Sequence, residues 1–429
     1  MTLRLFRYIY TWIFILLFPL ILIRLLWKSR FNPAYRQRLN ERFGFSPLRL
    51  KQSIWIHAVS VGESIAAIAL IKKWLSVNEA YPIVVTCMTP TGSEQLSAAF
   101  KKELGHRVFH VYVPYDVPFI INQFIKRINP HLLVLMETEI WPNMLYSAHI
   151  HNVPTLIANG RLSPRSFKAY QRFQPITRSC VQLIKQIGTQ SHLDETRFIN
   201  LGVPAASVTV TGNIKFDIQF SKNQIKAGHT LRAQLGKNKP VWIAASTHEG
   251  EELAILSAFK EIKKNIPKLI LILVPRHPER FNKVYQLCLE TTSKTQRRSD
   301  HSQIEDIDIY LGDTMGEMGA YYSASDVAFV GGSLVPIGGH NLLEPVAVGV
   351  PVITGPFCHN FLYIRDTLLD SKGLVAIEGS AQLINAVQSI LLNQDKAKLL
   401  KDNASKVLEA NKGATARTID LANHLIHQT

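Results

Sequence analysis

Glu63 closes the stretch His57-Ala58-Val59-Ser60-Val61-Gly62-Glu63, which follows an apolar run and opens a helical pattern. A carboxylate at such a turn can act as general base toward a hydroxyl. The same residue type is also common in first helical turns, where it complements the dipole. Glu137 and Glu139 flank Thr138 just before Trp141-Pro142. Paired carboxylates there could hold an acceptor sugar or tune a neighbouring acid, although one of them could simply cap the next helix. Lys215, in Gly212-Asn213-Ile214-Lys215-Phe216-Asp217, can reach a phosphate or carboxylate; a solvated lysine is the commoner case. Arg276 follows Val274-Pro275, the place from which a guanidinium clamps a phosphate through two parallel hydrogen bonds. The most distinctive stretch runs from Gly331 to Pro345, with two glycine pairs, His340-Asn341, Leu342, Leu343 and Glu344-Pro345. Glycine pairs let backbone approach a ligand, and a helix opening after them offers free N–H groups to an anion. A carboxylate one turn on could accept from sugar hydroxyls, so the stretch has the make-up of a phosphate-plus-sugar cradle.

Further loops of this kind are Asn159-Gly160-Arg161-Leu162-Ser163 and Ser246-Thr247-His248-Glu249-Gly250-Glu251; the latter also fits a capping box. His277, between Arg276 and Pro278, suits a structural or phosphate-side role better than that of a base. Other chemistries find little support. The first predicted strand is followed by Ser-Val-Gly-Glu rather than GxGxxG, no Walker A sequence occurs, and no cluster of histidines and carboxylates singles out a metal site. No cofactor or metal is expected, so arginine, lysine and helix dipoles would have to stabilise a departing phosphate.

These residues need a frame, and the frame is legible as alternating strands and helices. Ile54–Val59, Ile83–Cys87, Val108–Val113, Leu132–Met136 and Thr155–Ala158 read as buried strands with helical stretches between. The series restarts after Pro240 with Val241–Ala245, Leu269–Val274, Ile307–Leu311, Val327–Val330 and Val350–Thr354. Short apolar runs alternating with helices imply parallel sheets of βαβ units. The predicted organisation is an N-terminal segment over 1–30, a Rossmann-like domain over 31–220, a polar, Lys-rich linker over 221–238 and a second Rossmann-like domain over 239–429. The last helix is a candidate to cross back to the first domain. Two doubly wound domains in tandem leave a cleft at the carboxyl ends of their strands, where ligands bind.

Tyr8 to Ile23 is almost wholly apolar, near the length a spanning helix needs, with Arg4 and Arg7 before it and Arg24, Lys28 and Arg30 after it. No small-residue cleavage site follows. The denser positive charge after the segment places the body of the protein on the cytoplasmic side. A helix lying in the interface is the alternative to one that spans. The formal net charge of +16 favours an anionic partner. Four scattered cysteines without a CxxC fit neither a disulfide framework nor a zinc site.

Taken in order, His57–Glu63, Glu137–Asn143, Asn159–Ser163, Gly212–Asp217, Pro275–Glu279, Gly312–Met318 and Gly331–Pro345 resemble the Kdo transferase family (3-deoxy-D-manno-octulosonic acid transferases of lipopolysaccharide synthesis). The resemblance spans nearly the whole chain, the apolar N-terminus included. It implies a GT-B glycosyltransferase: α/β, with two Rossmann-like domains facing a cleft and an N-terminal membrane-anchor helix. The implied reaction is inverting, metal-independent transfer of Kdo from CMP-Kdo to lipid IVA, at the cytoplasmic side of a bacterial inner membrane. On that pattern Glu63 is the general base, and Glu137 and Lys215 stabilise the transition state, with Glu139 the alternative to Glu137. CMP is expected to contact Pro275, Arg276, Gly316, Glu317, Met318, Asn341, Leu342, Leu343 and Glu344. The expected partners are the donor, the acceptor and inner-membrane lipid; the lack of a basic-aromatic motif argues against nucleic acid. A GT-B enzyme using a UDP-sugar and a non-catalytic, membrane-anchored binder of anionic lipid are the competing readings.

Overall fold

The computed structural model describes residues 3–30, 32–78, 80–300 and 303–428. The chain separates into two compact units, Met1–Asp217 with Lys412–Thr429, and Ile218–Asn411. Each carries one parallel sheet of seven strands.

The first sheet is built from β1 (Ser53–His57), β2 (Ile83–Cys87), β3 (Val108–Tyr112), β4 (Pro130–Met136), β5 (Thr155–Gly160), β6 (Gln186–Thr189) and β7 (Val208–Val210). Their order across the sheet is β3-β2-β1-β4-β5-β6-β7. In β1 the side chains alternate between two cores. Ile54 and Ile56 pack with Leu70 and Trp74 of the helix Val61–Val77, while Trp55 points the other way, against Phe124. Burial on both faces is why this strand reads as an unbroken apolar run.

The second sheet contains β8 (Val241–Thr247), β9 (Ile270–Pro275), β10 (Thr295–Arg297), β11 (Ile309–Leu311), β12 (Val327–Val330), β13 (Val352–Thr354) and β14 (Leu374–Ala376). The order is β10-β11-β9-β8-β12-β13-β14. Trp242 and Ala244 pack with Phe259 on one face, and Ile243 with Leu235 and Tyr321 on the other. The order reverses between β1 and β4 in the first sheet and between β8 and β12 in the second, where β10 and β11 are also exchanged at the outer edge. In open α/β sheets such reversals are where ligands bind, at the carboxyl ends of the strands.

The segment expected as a linker over 221–238 differs from that reading. Lys222–Leu235 is a helix opened by a full capping box of Ser221 and Gln224. Its buried residues Leu231 and Leu235 belong to the core under the second sheet. A Cβ on Gly228 would come 2.4 Å from Ser323 Cβ, so glycine there permits close contact with the helix Met318–Ser323. A single apolar stripe at helical spacing carries no strand signal, which is why composition alone suggested a linker. The chain passes between units at Asp217 instead.

The last helix, Ala414–His427, belongs to the first unit, where Ala414, Ile419, Ala422 and Leu425 join the core around Leu70. Asp217 anchors its start, accepting from the N–H groups of Gly413 and Thr415 at 2.6 Å each. At the other end of the chain, Leu3–Ser29 is one continuous helix, long and apolar enough to cross a membrane.

Candidate active site

In the first unit the β1/β4 reversal gathers three of the singled-out residues. Ser60 caps the helix Val61–Val77, its hydroxyl accepting from the Glu63 N–H at 3.2 Å. The Glu63 carboxylate turns back over the same turn, accepting from the Ser60 hydroxyl at 2.7 Å and the Val59 N–H at 2.8 Å. It is 6% exposed. Burial pushes its carboxyl above the usual 4.5, while the Ser60 hydroxyl and Val59 N–H pull it back. Glu63 is thus both a helix-start carboxylate and a base stronger than a free one.

Glu137 follows β4 directly and holds a left-handed backbone, φ 55°. Its N–H donates to the Ala158 carbonyl at 2.9 Å. Left-handed non-glycine residues are uncommon and cluster at functional sites; Asn159 (φ 58°) and Ser246 (φ 56°) hold the same geometry near the ends of β5 and β8. Lys215 Nζ reaches Glu137 Oε1 at 3.3 Å, with both side chains about one-fifth exposed. The same ammonium would lie 3.7 Å from a Cβ placed on Gly62, which sets it over the start of the Glu63 helix. Its short turn is held by asparagines: Asn213 Oδ1 accepts from the Lys215 N–H and Asn159 Oδ1 from the Ile214 N–H, each at 3.0 Å.

Glu139 is not a partner in this ion pair, although its carboxyl feels the Glu137 charge. It accepts from Trp141 Nε1 at 2.7 Å, and burial, aided by the Glu63 charge, raises its carboxyl to about 7. The Trp141 ring meets His57 edge-on, centroids 4.9 Å apart. His57 is fully buried, and burial lowers its imidazole to about 3. It is therefore neutral at physiological pH and serves as packing beneath Trp141.

In the second unit the β8/β12 reversal carries the glycine-rich stretch. Glu251 is fully buried there and accepts four backbone hydrogen bonds. His248 and Gly332 donate to Oε2 at 2.9 and 2.7 Å, and Ser333 and Leu334 to Oε1 at 3.1 and 2.9 Å. A Cβ on Gly331 would fall 2.7 Å from the Ser246 carbonyl oxygen, and Gly332 has φ 67°, so both positions need glycine. Ser333 locks the far side, its hydroxyl accepting from the Gly355 N–H at 2.9 Å. His340 stacks on His248, rings 5.0 Å apart and 6° from parallel, with Nε2 atoms 2.8 Å apart. Burial and the nearby Arg276 charge depress His340 to about 3. Glu344 is raised to about 7 by burial, against the pull of Arg276. Arg276 therefore acts electrostatically on both His340 and Glu344.

The expected nucleotide contacts differ in what they offer. Leu342 and Leu343 are fully buried, so only their backbone is available. Asn341 Oδ1 accepts from the Leu343 N–H at 3.1 Å. The helix that follows is a single short turn, Leu343–Ala347. Pro275 ends β9 and Arg276 follows it, with its N–H on the Thr247 carbonyl at 2.9 Å. Gly316-Glu317-Met318 lies past β11, and the Glu317 carboxylate is gripped by Arg298 through three contacts of 2.9–3.2 Å and by the Thr314 hydroxyl. Sequence reasoning missed the role of Glu251, the Asn159–Asn213 scaffold and the His248–His340 stack; for Glu251 the available signal was taken for a cap.

Two parallel sheets with chemistry-bearing loops at their reversals define an α/β protein of the two-Rossmann GT-B class. Residues 37–218 match the family 3-deoxy-D-manno-octulosonic-acid transferase (kdotransferase), and residues 243–407 match glycosyl transferases group 1. The chain is 40% identical to the 3-deoxy-D-manno-octulosonic acid transferase of Haemophilus influenzae, over 97% of each protein. It is 34% identical to the protein of that name from Bordetella pertussis, over 91% of this chain and 90% of that one. A crystal structure of a putative UDP-N-acetylglucosamine 2-epimerase from Listeria monocytogenes covers 88% of this chain and 98% of its own, with TM-score 0.56 and 14% identity, a likeness of fold. The chain belongs to the 3-deoxy-D-manno-octulosonic acid (Kdo) transferase family and is a glycosyltransferase.

Proposed function

We propose that this protein transfers Kdo from CMP-Kdo to lipid IVA with inversion at the anomeric carbon and without a metal ion, at the cytoplasmic face of a bacterial inner membrane. The observation that carries the reading is the convergence of Glu63, Glu137 and Lys215 at the reversal of the first sheet, in a chain of this family. Glu63 removes the proton of the acceptor hydroxyl as its oxygen bonds to the anomeric carbon of Kdo. The bond from that carbon to the CMP phosphate oxygen breaks, and CMP leaves with the electron pair. Lys215, oriented by Glu137, offers positive charge to the developing anion or to the Kdo carboxylate. The ion pair with Lys215 favours Glu137 over Glu139 in this role. In the second unit Arg276 and backbone N–H groups of the Gly331–Glu344 stretch beyond those held by Glu251 suit the CMP phosphate. Gly316–Met318 and Asn341 suit the rest of the nucleotide, with Leu342 and Leu343 contributing backbone only. The N-terminal helix and the positive charge suit an anionic lipid acceptor and surface, basic residues near such a surface contributing about 1 kcal/mol each.

The test is one reaction with purified protein, CMP-Kdo and lipid IVA in the presence of EDTA, read by mass spectrometry. A Kdo adduct of lipid IVA is expected. Transfer only from a UDP-sugar, or activity lost to EDTA and restored by a divalent ion, would sink the reading. The pH profile is a second check. Glu63 works only when ionised and its carboxyl is raised, so kcat/KM should fall as pH drops through an acid limb lying above 4.5. A limb at or below the ordinary glutamate value would contradict Glu63 as the buried base.

A further inference from the structure

We propose that the N-terminal helix Leu3–Ser29 lies in the plane of the membrane interface, along the first unit, rather than crossing the bilayer. The proposal rests on the reading that this apolar helix meets a membrane at all.

One face of the helix is in contact with the body of the first unit from Arg7 to Phe18. Near its start, Arg7 Nε donates to Asn143 Oδ1 at 3.0 Å and the guanidinium lies 3.5 Å from the centre of the Tyr146 ring. One turn on, Asn143 Nδ2 donates to the Thr11 hydroxyl at 3.0 Å. Phe14 and Phe18 then pack on Tyr115, with ring centroids 5.8 and 5.4 Å apart. At the far end the buried Ser29 hydroxyl accepts from Arg36 Nε at 2.6 Å. From Arg7 to Phe18 these contacts recur at helical spacing on one stripe and cover about 17 Å of helix at ~1.5 Å per residue. That is more than half the thickness of a hydrocarbon core, about 30 Å.

A spanning orientation therefore carries a consequence. Tyr115, Asn143 and Tyr146, with the backbone that carries them, would have to sit at membrane depth beside the helix. Irregular backbone facing lipid is not tolerated there, because its polar groups have no water to pair with. An in-plane orientation carries no such cost. The stripe facing away from the protein is apolar and open: Leu5, Trp12, Leu16, Leu20, Ile23 and Trp27 are each at least half exposed. The helix contains no acidic residue, while Arg4 and Arg24 are exposed basic residues near its two ends. An apolar stripe with basic residues at its ends complements an anionic bilayer surface, apolar side chains entering the acyl boundary and guanidinium groups meeting the headgroups.

The experiment uses the full-length protein with single cysteines at Leu5→Cys, Leu16→Cys and Ile23→Cys, each carrying a nitrobenzoxadiazole label. The four native cysteines are buried and stay unlabelled under mild conditions. CMP affinity of each labelled protein serves as the control for folding. Bound to vesicles of phosphatidylethanolamine and phosphatidylglycerol, the three labels should report the same shallow depth by lipid-attached quenchers, and all three should remain on the outer leaflet. A label at position 16 near the bilayer centre, with the label at position 5 on the inner leaflet, would overturn the in-plane proposal while leaving the membrane reading intact. Failure to bind vesicles at all would overturn the membrane reading and the proposal with it.

Discussion

Glu63→Gln should lower kcat by about 10²–10⁴-fold, the usual contribution of a positioned general base, with CMP affinity changed less than twofold. The substitution is informative because Glu63 holds two roles. Its carboxylate accepts from Val59 N–H and the Ser60 hydroxyl at the start of the helix. An amide oxygen can keep the Val59 bond, so much of the cap survives while the basic lone pair is lost. Loss of a helix-start interaction costs about 0.5–2 kcal/mol of stability, which would lower the melting temperature by a few degrees without touching the chemistry. A glutamine variant that keeps at least a third of wild-type kcat, with a lowered melting temperature, would reduce Glu63 to a capping residue. A large loss of kcat with the melting temperature nearly intact is the result expected of a base. Glu139→Gln sharpens the contrast, because Glu139 pairs with Trp141 instead of Lys215 and should lose much less turnover.

The strands were legible because parallel strands covered on both faces are continuous apolar runs, as Ile54-Trp55-Ile56 and Val241-Trp242-Ile243 show. Helices with one buried stripe were less so, and Lys222–Leu235 passed for a linker because only Leu231 and Leu235 enter the core with Gly228 between the helices. Local pattern places Glu63 and Glu137 each beside a strand end and Lys215 just before the expected linker but cannot join them. The order of the sheet, β1 beside β4, brings Glu63 to Glu137, and the Asn159 bond to the Ile214 N–H brings in Lys215, long-range pairings that no single stretch encodes. The family resemblance groups the three residues where local pattern does not. Side-chain direction was also beyond the sequence: Leu342 and Leu343 lie in the nucleotide-contact stretch yet turn fully into the core. Glu317, likewise in that stretch, spends its carboxylate on Arg298.

Glu251→Ala should abolish measurable CMP binding at concentrations that saturate the native protein and lower the melting temperature by about 10 °C. Thr247-His248-Glu249-Gly250-Glu251 looks in sequence like a helix start, and a helix does open at Glu251; its carboxylate is in addition the fastening of the glycine-rich loop, taking hydrogen bonds from four backbone N–H groups around it. Hydrogen bonds to a charged group contribute about 1.5–3 kcal/mol each, and a buried donor left unpaired costs about 1–3 kcal/mol. Even with the loop relaxing to admit water, a loss of about 3 kcal/mol or more is expected, and at ~2–4 °C per kcal/mol for a unit of this size the melting shift follows. Gly331 and Gly332 make the loop fit around this carboxylate but cannot hold it there, since glycine contributes no side-chain contact and loses the most conformational entropy on ordering. Glu251→Gln tests the charge separately from the void. Its amide keeps one acceptor oxygen but turns an NH₂ group toward donors, so the N–H groups that met the other oxygen are left facing donors. It should therefore weaken CMP binding at least tenfold. Calorimetric affinity for CMP within twofold of native, with a clear fall in melting temperature, would separate the loop's structural fastening from donor binding and remove the Gly331–Glu344 stretch from the proposed nucleotide site.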